Sequence, residues 1–150
     1  MSTPLEFTAN SPRAHLPFLF AAQAQKEVTV NEALARIDAL LAPAVEGEAT
    51  TPPSAPAEGE SWIVAANPQG LWAGHAGELA FHCAGTWMFA APTEGMTVFD
   101  RSAGANLRWL GTWQSLALPA APAGGGTVDA EARTAIASLI AALRDAGLGV

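Results

Sequence analysis

The sequence holds a single cysteine, Cys83, no tyrosine, and only seven lysines and arginines in 150 residues. One thiol excludes an intrachain disulfide framework and any zinc site built on cysteines. The simplest role for Cys83 is a buried, inert side chain in a strand. The few basic residues are scattered from Arg13 to Arg144 in a chain of net charge -7. They cannot form the concentrated cationic patch that a phosphate backbone or an anionic membrane demands, so no nucleic-acid partner is expected. No apolar run approaches the roughly 18–20 residues needed to span a bilayer, and no membrane insertion is expected. The first ten residues lack a basic segment followed by an apolar one, which predicts cytoplasmic synthesis without a secretory signal.

Catalytic patterns are also missing. His15, His75 and His82 share no metal-ligand spacing such as HExxH or HxH. There is no GxSxG, P-loop or GxGxxG motif, and Gly124-Gly125-Gly126 precedes a helix without a lysine or a preceding apolar strand. Glu78, Glu94 and Asp100 fall in one region, but sequence spacing cannot place two carboxylates across a glycosidic bond. Glu94 reads as a turn residue, and Asp100 as a strand end. The chain is therefore expected not to be an enzyme. No catalytic, cofactor-binding or metal-ligating residue is assigned, and a cell-wall or polysaccharide hydrolase is the least favoured alternative.

Half of the residues are apolar, enough to build a core, while 14 glycines and 11 prolines punctuate the apolar segments. Two composition shifts divide the chain. Residues 43–60, rich in Pro, Ala, Glu and Gly, and residues 118–126, ending in three glycines, read as extended linkers. Between and around them lie an arm and helix over 1–42, a β-module over 61–117 and a C-terminal helix over 127–150. This organisation predicts an α+β fold: a helix, a small antiparallel barrel or sandwich, and a second helix.

The first helix is predicted over Phe20–Leu41, after Pro12 and Pro17 keep the entry extended. Val30, Leu34, Ile37 and Leu41 are spaced four, three, four, which is an a/d seam able to self-associate or to dock on a β-module. Strands are predicted at 61–64, 71–73, 78–83, 86–90, 96–100, 106–110 and 112–115, with Ala84-Gly85 as a two-residue hairpin. A weak Gly-x-Trp repeat runs through Gly70/Trp72, Gly85/Trp87 and Gly111/Trp113, the last two as identical Gly-Thr-Trp triplets. The C-terminal helix is predicted over Thr127–Gly149, capped by Thr127 or Asp129 and stopped at Gly147. Its apolar face holds Ile136, Leu139, Ile140 and Leu143, a stripe that an isolated helix must bury against its own β-module or against further copies. Of the two, self-association is the favoured solution.

Five tryptophans dominate the aromatic inventory. Exposed indole faces stack on sugar rings, so Trp72, Trp87, Trp109 and Trp113 are candidate saccharide-binding residues; the competing role for each is core filling.

The segment Leu16–Leu41 resembles the opening of the DUF2793 family of phage and prophage proteins. The likeness is carried by Gln23-Ala24-Gln25-Lys26, Val28-Thr29, Asn31-Glu32-Ala33-Leu34 and Asp38-Ala39-Leu40. It continues through Glu60-Ser61-Trp62-Ile63-Val64, Gly70-x-Trp72-Ala73-Gly74-His75, Gly85-Thr86-Trp87-x-Phe89 and Pro92-x-Glu94-Gly95-Met96. The resemblance implies a structural component of a phage or gene-transfer-agent particle, a tail fibre or baseplate-associated appendage in host attachment. Fibres commonly have threefold symmetry, so the resemblance implies a homotrimer with the helices meeting around the axis. The other expected partners are tail or particle proteins and host surface polysaccharide, and the expected location is the virion. The resemblance implies no catalytic residue.

Overall fold

The computed structural model describes residues 10–19, 26–126 and 129–149. Helix α1 (Lys26–Leu41) is followed by strands β1 (Ala44–Val45), β2 (Glu48–Ala49) and β3 (Ser61–Val64), and by a turn of 3-10 helix (Gly70–Trp72). Strands β4 (Leu79–Cys83), β5 (Thr86–Ala90), β6 (Thr97–Asp100), β7 (Ala105–Trp109) and β8 (Trp113–Ser115) precede helix α2 (Ala130–Asp145). Two four-stranded sheets result, ordered β2-β3-β4-β5 and β1-β6-β7-β8. The α+β class is as expected, but the sheets are mixed rather than antiparallel and do not close into a barrel. In each, a short edge strand runs parallel to the first strand of an antiparallel meander.

Both edge strands come from residues 43–60, the segment expected to be a plain linker. The chain crosses once from one sheet to the other: Pro43 and Val45 carbonyls accept from Phe99 and Arg101, then Glu46 N–H donates to the Ser61 carbonyl and the Gly47 and Ala49 carbonyls accept from Ile63 and Ala65. A Pro- and Glu-rich composition conceals this because the pairing uses only backbone groups, and the segment's own side chains contribute one buried residue, Val45. The predicted strand at 71–73 is instead the 3-10 turn that carries Trp72 into the core. Residues 118–126 form no helix or strand.

The two meanders repeat one another in register. Ile63 pairs with Leu79 as Phe99 pairs with Asn106, and Ser61 with Phe81 as Thr97 with Arg108. One step further, His82 pairs with Trp87 as Trp109 pairs with Trp113. The ring geometries repeat too, at 5.3 Å and 62° for His82–Trp87 and 5.3 Å and 63° for Trp109–Trp113. The Gly-Thr-Trp triplets of the sequence thus mark the same hairpin end in two copies of one backbone pattern.

Helix α1 is turned by about one residue from the expected seam. Its buried residues are Asn31, Ala35, Asp38 and Ala39. The alanines let the helix approach Phe81, Cys83, Met88 and Ala90 closely, with Leu34 and Leu40 packed beside them. Val30, Ile37 (49 % exposed) and Leu41 (68 %) consequently face outward. Residues 20–25, where the helix was expected to begin, lie outside the described residues.

Asn31 and Asp38, two turns apart on the inward face, hold the N-terminal arm. Asp38 accepts hydrogen bonds from Ser11 Oγ (2.8 Å), Arg13 N (3.0 Å) and Ala14 N, and Asn31 both accepts from Leu19 N (2.8 Å) and donates to Leu19 O (3.0 Å). The last turn of α1 has no basic residue of its own. Arg13 supplies one from the arm, donating to the carbonyls of Ala39 and Ala42, where the helix has orphan acceptors and the negative end of its dipole. Burial of Cys83, with smaller contributions from Glu58 and Asp38, pushes its thiol up to about 11, the inert state expected of it.

A buried carboxylate held by three donors cannot be truncated cheaply. Asp38→Ala should lower stability by about 3 kcal/mol, the upper end for hydrogen bonds to a charged group, measured as a fall in the urea midpoint. It should also open the Arg13–Ala14 peptide to trypsin well before global unfolding. An arm that stays protected in this variant would show that its docking does not depend on Asp38.

Candidate functional site

Trp72 is completely buried, at 0 % exposure. Its ring meets Trp87 edge-on with centroids 5.1 Å apart, in a cluster with Val64 and Ala80. No face is left for a sugar, which removes Trp72 from the candidate saccharide-binding set. The physical reason is local: the 65–78 segment between β3 and β4 folds back over the sheet, and Trp72 is the side chain that fills the space beneath it. Trp87 is half-buried between Trp72 and His82.

Trp109 and Trp113 lie at the far end of the other hairpin and are half-buried. They line a cleft of about 290 Å³ together with Glu48, Ile63, Val64, Ala76 and Gly77. Trp113 Nε1 donates to Gly77 O at 2.9 Å, fixing the ring. A Cβ on Gly77 would lie 3.1 Å from Trp109 Cη2, so the absence of a side chain there lets the indole approach. The volume sits at the lower end of small-ligand pockets, enough for one flat ring. Glu48, in the residues expected to be linker, gave no sequence signal of this role; Trp109 and Trp113 did.

The titratable residues elsewhere are engaged in structure. His75 stacks on Phe89 at 3.6 Å and 4°, with Nδ1 2.9 Å from Glu78 Oε2. Glu58 accepts from the backbone N–H groups of Ala84 and Gly85, the hairpin turn, and lies 3.3 Å from His82 Nδ1 without an aligned hydrogen bond. Asp100 is buried and accepts from Ser102 N, Ser102 Oγ and Ala103 N, closing its own turn. Among the described residues no group of three or more His, Cys, Asp or Glu could hold a metal ion, and no helix is long and apolar enough to cross a membrane.

The second candidate surface is apolar. Asp129 caps α2 by accepting from Ala132 N, while Thr127 lies outside the described residues. Gly147, at φ +67°, closes the helix: Leu148 N donates to Leu143 O and Gly147 N to Arg144 O, a Schellman motif. Along the helix only Ile140 is buried. Leu143 is half-buried, and Ile136 (45 % exposed) and Leu139 (60 %) are open. The outward stripe is therefore narrower than the four residues expected.

The family described as "Protein of unknown function (DUF2793)" matches residues 30–114, more than half of the chain, from within α1 through β1–β7 and into β8. No curated protein matches the chain.

The contrast among tryptophans is testable by denaturation. Trp72→Ala should cost about 3–5 kcal/mol as a large core truncation. Trp72→Phe should cost less than half of that, because the buried indole N–H has no hydrogen-bond partner to lose. Comparable losses from the two substitutions would show that the N–H is engaged.

Proposed function

The chain belongs to the DUF2793 family, and from that premise we propose that it is a non-enzymatic, self-assembling component of a phage or gene-transfer-agent particle, a tail-fibre or baseplate-associated appendage for host attachment. The observation that carries the reading is α2: a well-capped helix of 16 residues that buries one side chain and exposes Ile136 and Leu139. A helix of that length is marginal alone in water and gains most of its stability from packing. Val30, Ile37 and Leu41 present a second apolar strip on α1. A homotrimer covers such strips, and in a repeated appendage weak individual contacts with a host surface gain avidity by factors of roughly 10²–10⁴ when they engage together. The buried and hydrogen-bonded state of Asp100, and the pairing of Glu78 with His75, support a structural role for these carboxylates.

Sedimentation of the full chain should give a trimer. Ile136→Glu with Leu139→Glu should give a monomer of unchanged circular dichroism, since both residues are exposed. A wild-type chain that stays monomeric at high concentration would end the assembly reading, and detection of the chain in purified particles by mass spectrometry checks the location.

The Trp109–Trp113 cleft favours a second, compatible reading, recognition of host surface polysaccharide. Two indoles and a carboxylate lining one cleft suit the apolar face and hydroxyls of a sugar ring. On a glycan array, Trp109→Ala and Trp113→Ala should abolish binding that Leu71→Ala, a change at an exposed residue away from the cleft, retains. Binding that survives both tryptophan changes would assign recognition elsewhere.

A further inference from the structure

The repeat of the two meanders gives one exposed face a counterpart whose covering is visible. In the first sheet, Phe81, Cys83, Met88 and Ala90 form the seat of α1. By register, Arg108 paired with Gln114 stands where Phe81 is paired with Met88, and counting on by two along each chain segment puts Leu110 and Leu116, just past the ends of β7 and β8, in the places of Cys83 and Ala90. All four of these line one cleft of about 400 Å³ on the outer side of that sheet. The same backbone arrangement that holds a helix in the first half thus stands open in the second.

We propose that this cleft is a helix seat, filled in the assembly by α2 of a second copy. The inference rests on the self-association reading and specifies its contact. Three observations select α2. First, this face already receives the end of the helix within one chain: Asn106 donates from N (2.8 Å) and Nδ2 (3.0 Å) to Gly147 O, and Leu148 lines the cleft. The seat therefore continues an existing contact with the same element. Second, the apolar groups match, with Leu110 and Leu116 exposed on the sheet and Ile136 and Leu139 exposed on the helix. Third, the signs of charge are complementary. The cleft's one ionic lining residue is Arg108, and the first turn of α2 carries the exposed acids Asp129 and Glu131.

A helix of one copy on the sheet of the next is a heterologous contact, which closes into a ring when the rotation permits. A trimer built this way needs no central bundle: each copy gives one helix and receives one. This departs from the expectation of helices meeting around the axis, and the two arrangements are separable.

Cysteines placed on the two surfaces distinguish them. Leu139→Cys and Leu116→Cys chains, each exposed at the changed position, are prepared separately and mixed under mild oxidation, with wild-type chain, whose thiol is buried, as the blank. The expected result is a disulfide-linked dimer in the mixture and little in either variant alone. If Leu139→Cys links efficiently to itself and the mixture gives no heterodimer, the helices meet one another, and the seat is overturned while assembly stands. If no link forms although wild-type chain sediments as a trimer, the seat is again overturned. A monomeric wild-type chain with no link removes both the seat and the assembly reading.

Discussion

Seven residues, Pro43 to Ala49, carry the constraint on which the β-structure depends. Their backbone is hydrogen-bonded first beside β6, through Pro43 and Val45, and then beside β3, through Glu46, Gly47 and Ala49, so one continuous segment gives an edge strand to each sheet in turn. Neither sheet is large alone: each is a three-stranded meander with strands of three to five residues, near the lower limit for independent stability. Stitching them through this segment brings Val45 and Val98 against Ile63 and Leu79, and the inter-sheet core follows from that contact. Trp113, packed on the same core, is thereby held with its ring against Gly77. The wall of the sugar-sized cleft is thus set by backbone pairing some 65 residues earlier in the chain.

The legible parts of the fold were those written in side-chain patterns. Strand β3 and strand β5 have their expected bounds, the Ala84-Gly85 hairpin turn is where the sequence places it, and α2 is capped at Asp129 and stopped at Gly147 as predicted. What escaped was written in the backbone. Parallel edge pairing by β1 and β2 requires no alternation of apolar residues in strands of two, so the Pro- and Glu-rich segment offered no period to detect. The inward face of α1 was not legible for a related reason. An a/d count rewards large aliphatic residues, whereas this helix turns Ala35 and Ala39 to the sheet and Asn31 and Asp38 to the arm. The signal for that lay in two polar residues seven apart, which a search for apolar seams treats as exposed. Of the four candidate tryptophans, the sequence could not separate the one under a folded-back loop, Trp72, from the two at an open hairpin end.

Placing polar residues on the buried side of α1 has a cost and a return. Asn31 and Asp38 satisfy arm backbone groups that would otherwise lie unpaired beside a helix, and Arg13 answers the helix's own unpaired carbonyls. The arm and helix therefore complete one another's hydrogen bonding, and each is stable in this position only while the other is present. The aliphatic residues that a conventional amphipathic helix would bury are freed for the outside. Exposure of Val30, Ile37 and Leu41 is thus not an accident of a poorly packed helix but follows from what occupies its inner face.

The same logic separates the two meanders. Their strand pairings correspond over much of the three strands, yet the seat built from Phe81, Cys83, Met88 and Ala90 is closed core, while Arg108, Leu110, Gln114 and Leu116 line an open cleft. Substituting two apolar positions by Arg and Gln keeps such a face soluble in a free chain, since both side chains can be hydrated, and leaves two leucines to supply apolar contact. Long Arg and Gln stems can also lie along a docking helix while their polar heads stay wet. A permanent internal contact favours the first composition. A contact that must form only after the chain has folded, between copies that arrive separately, favours the second. A difference in composition on a single face, with the strand pairing kept, is therefore sufficient for the proposed change from a helix seat within one chain to a seat between copies.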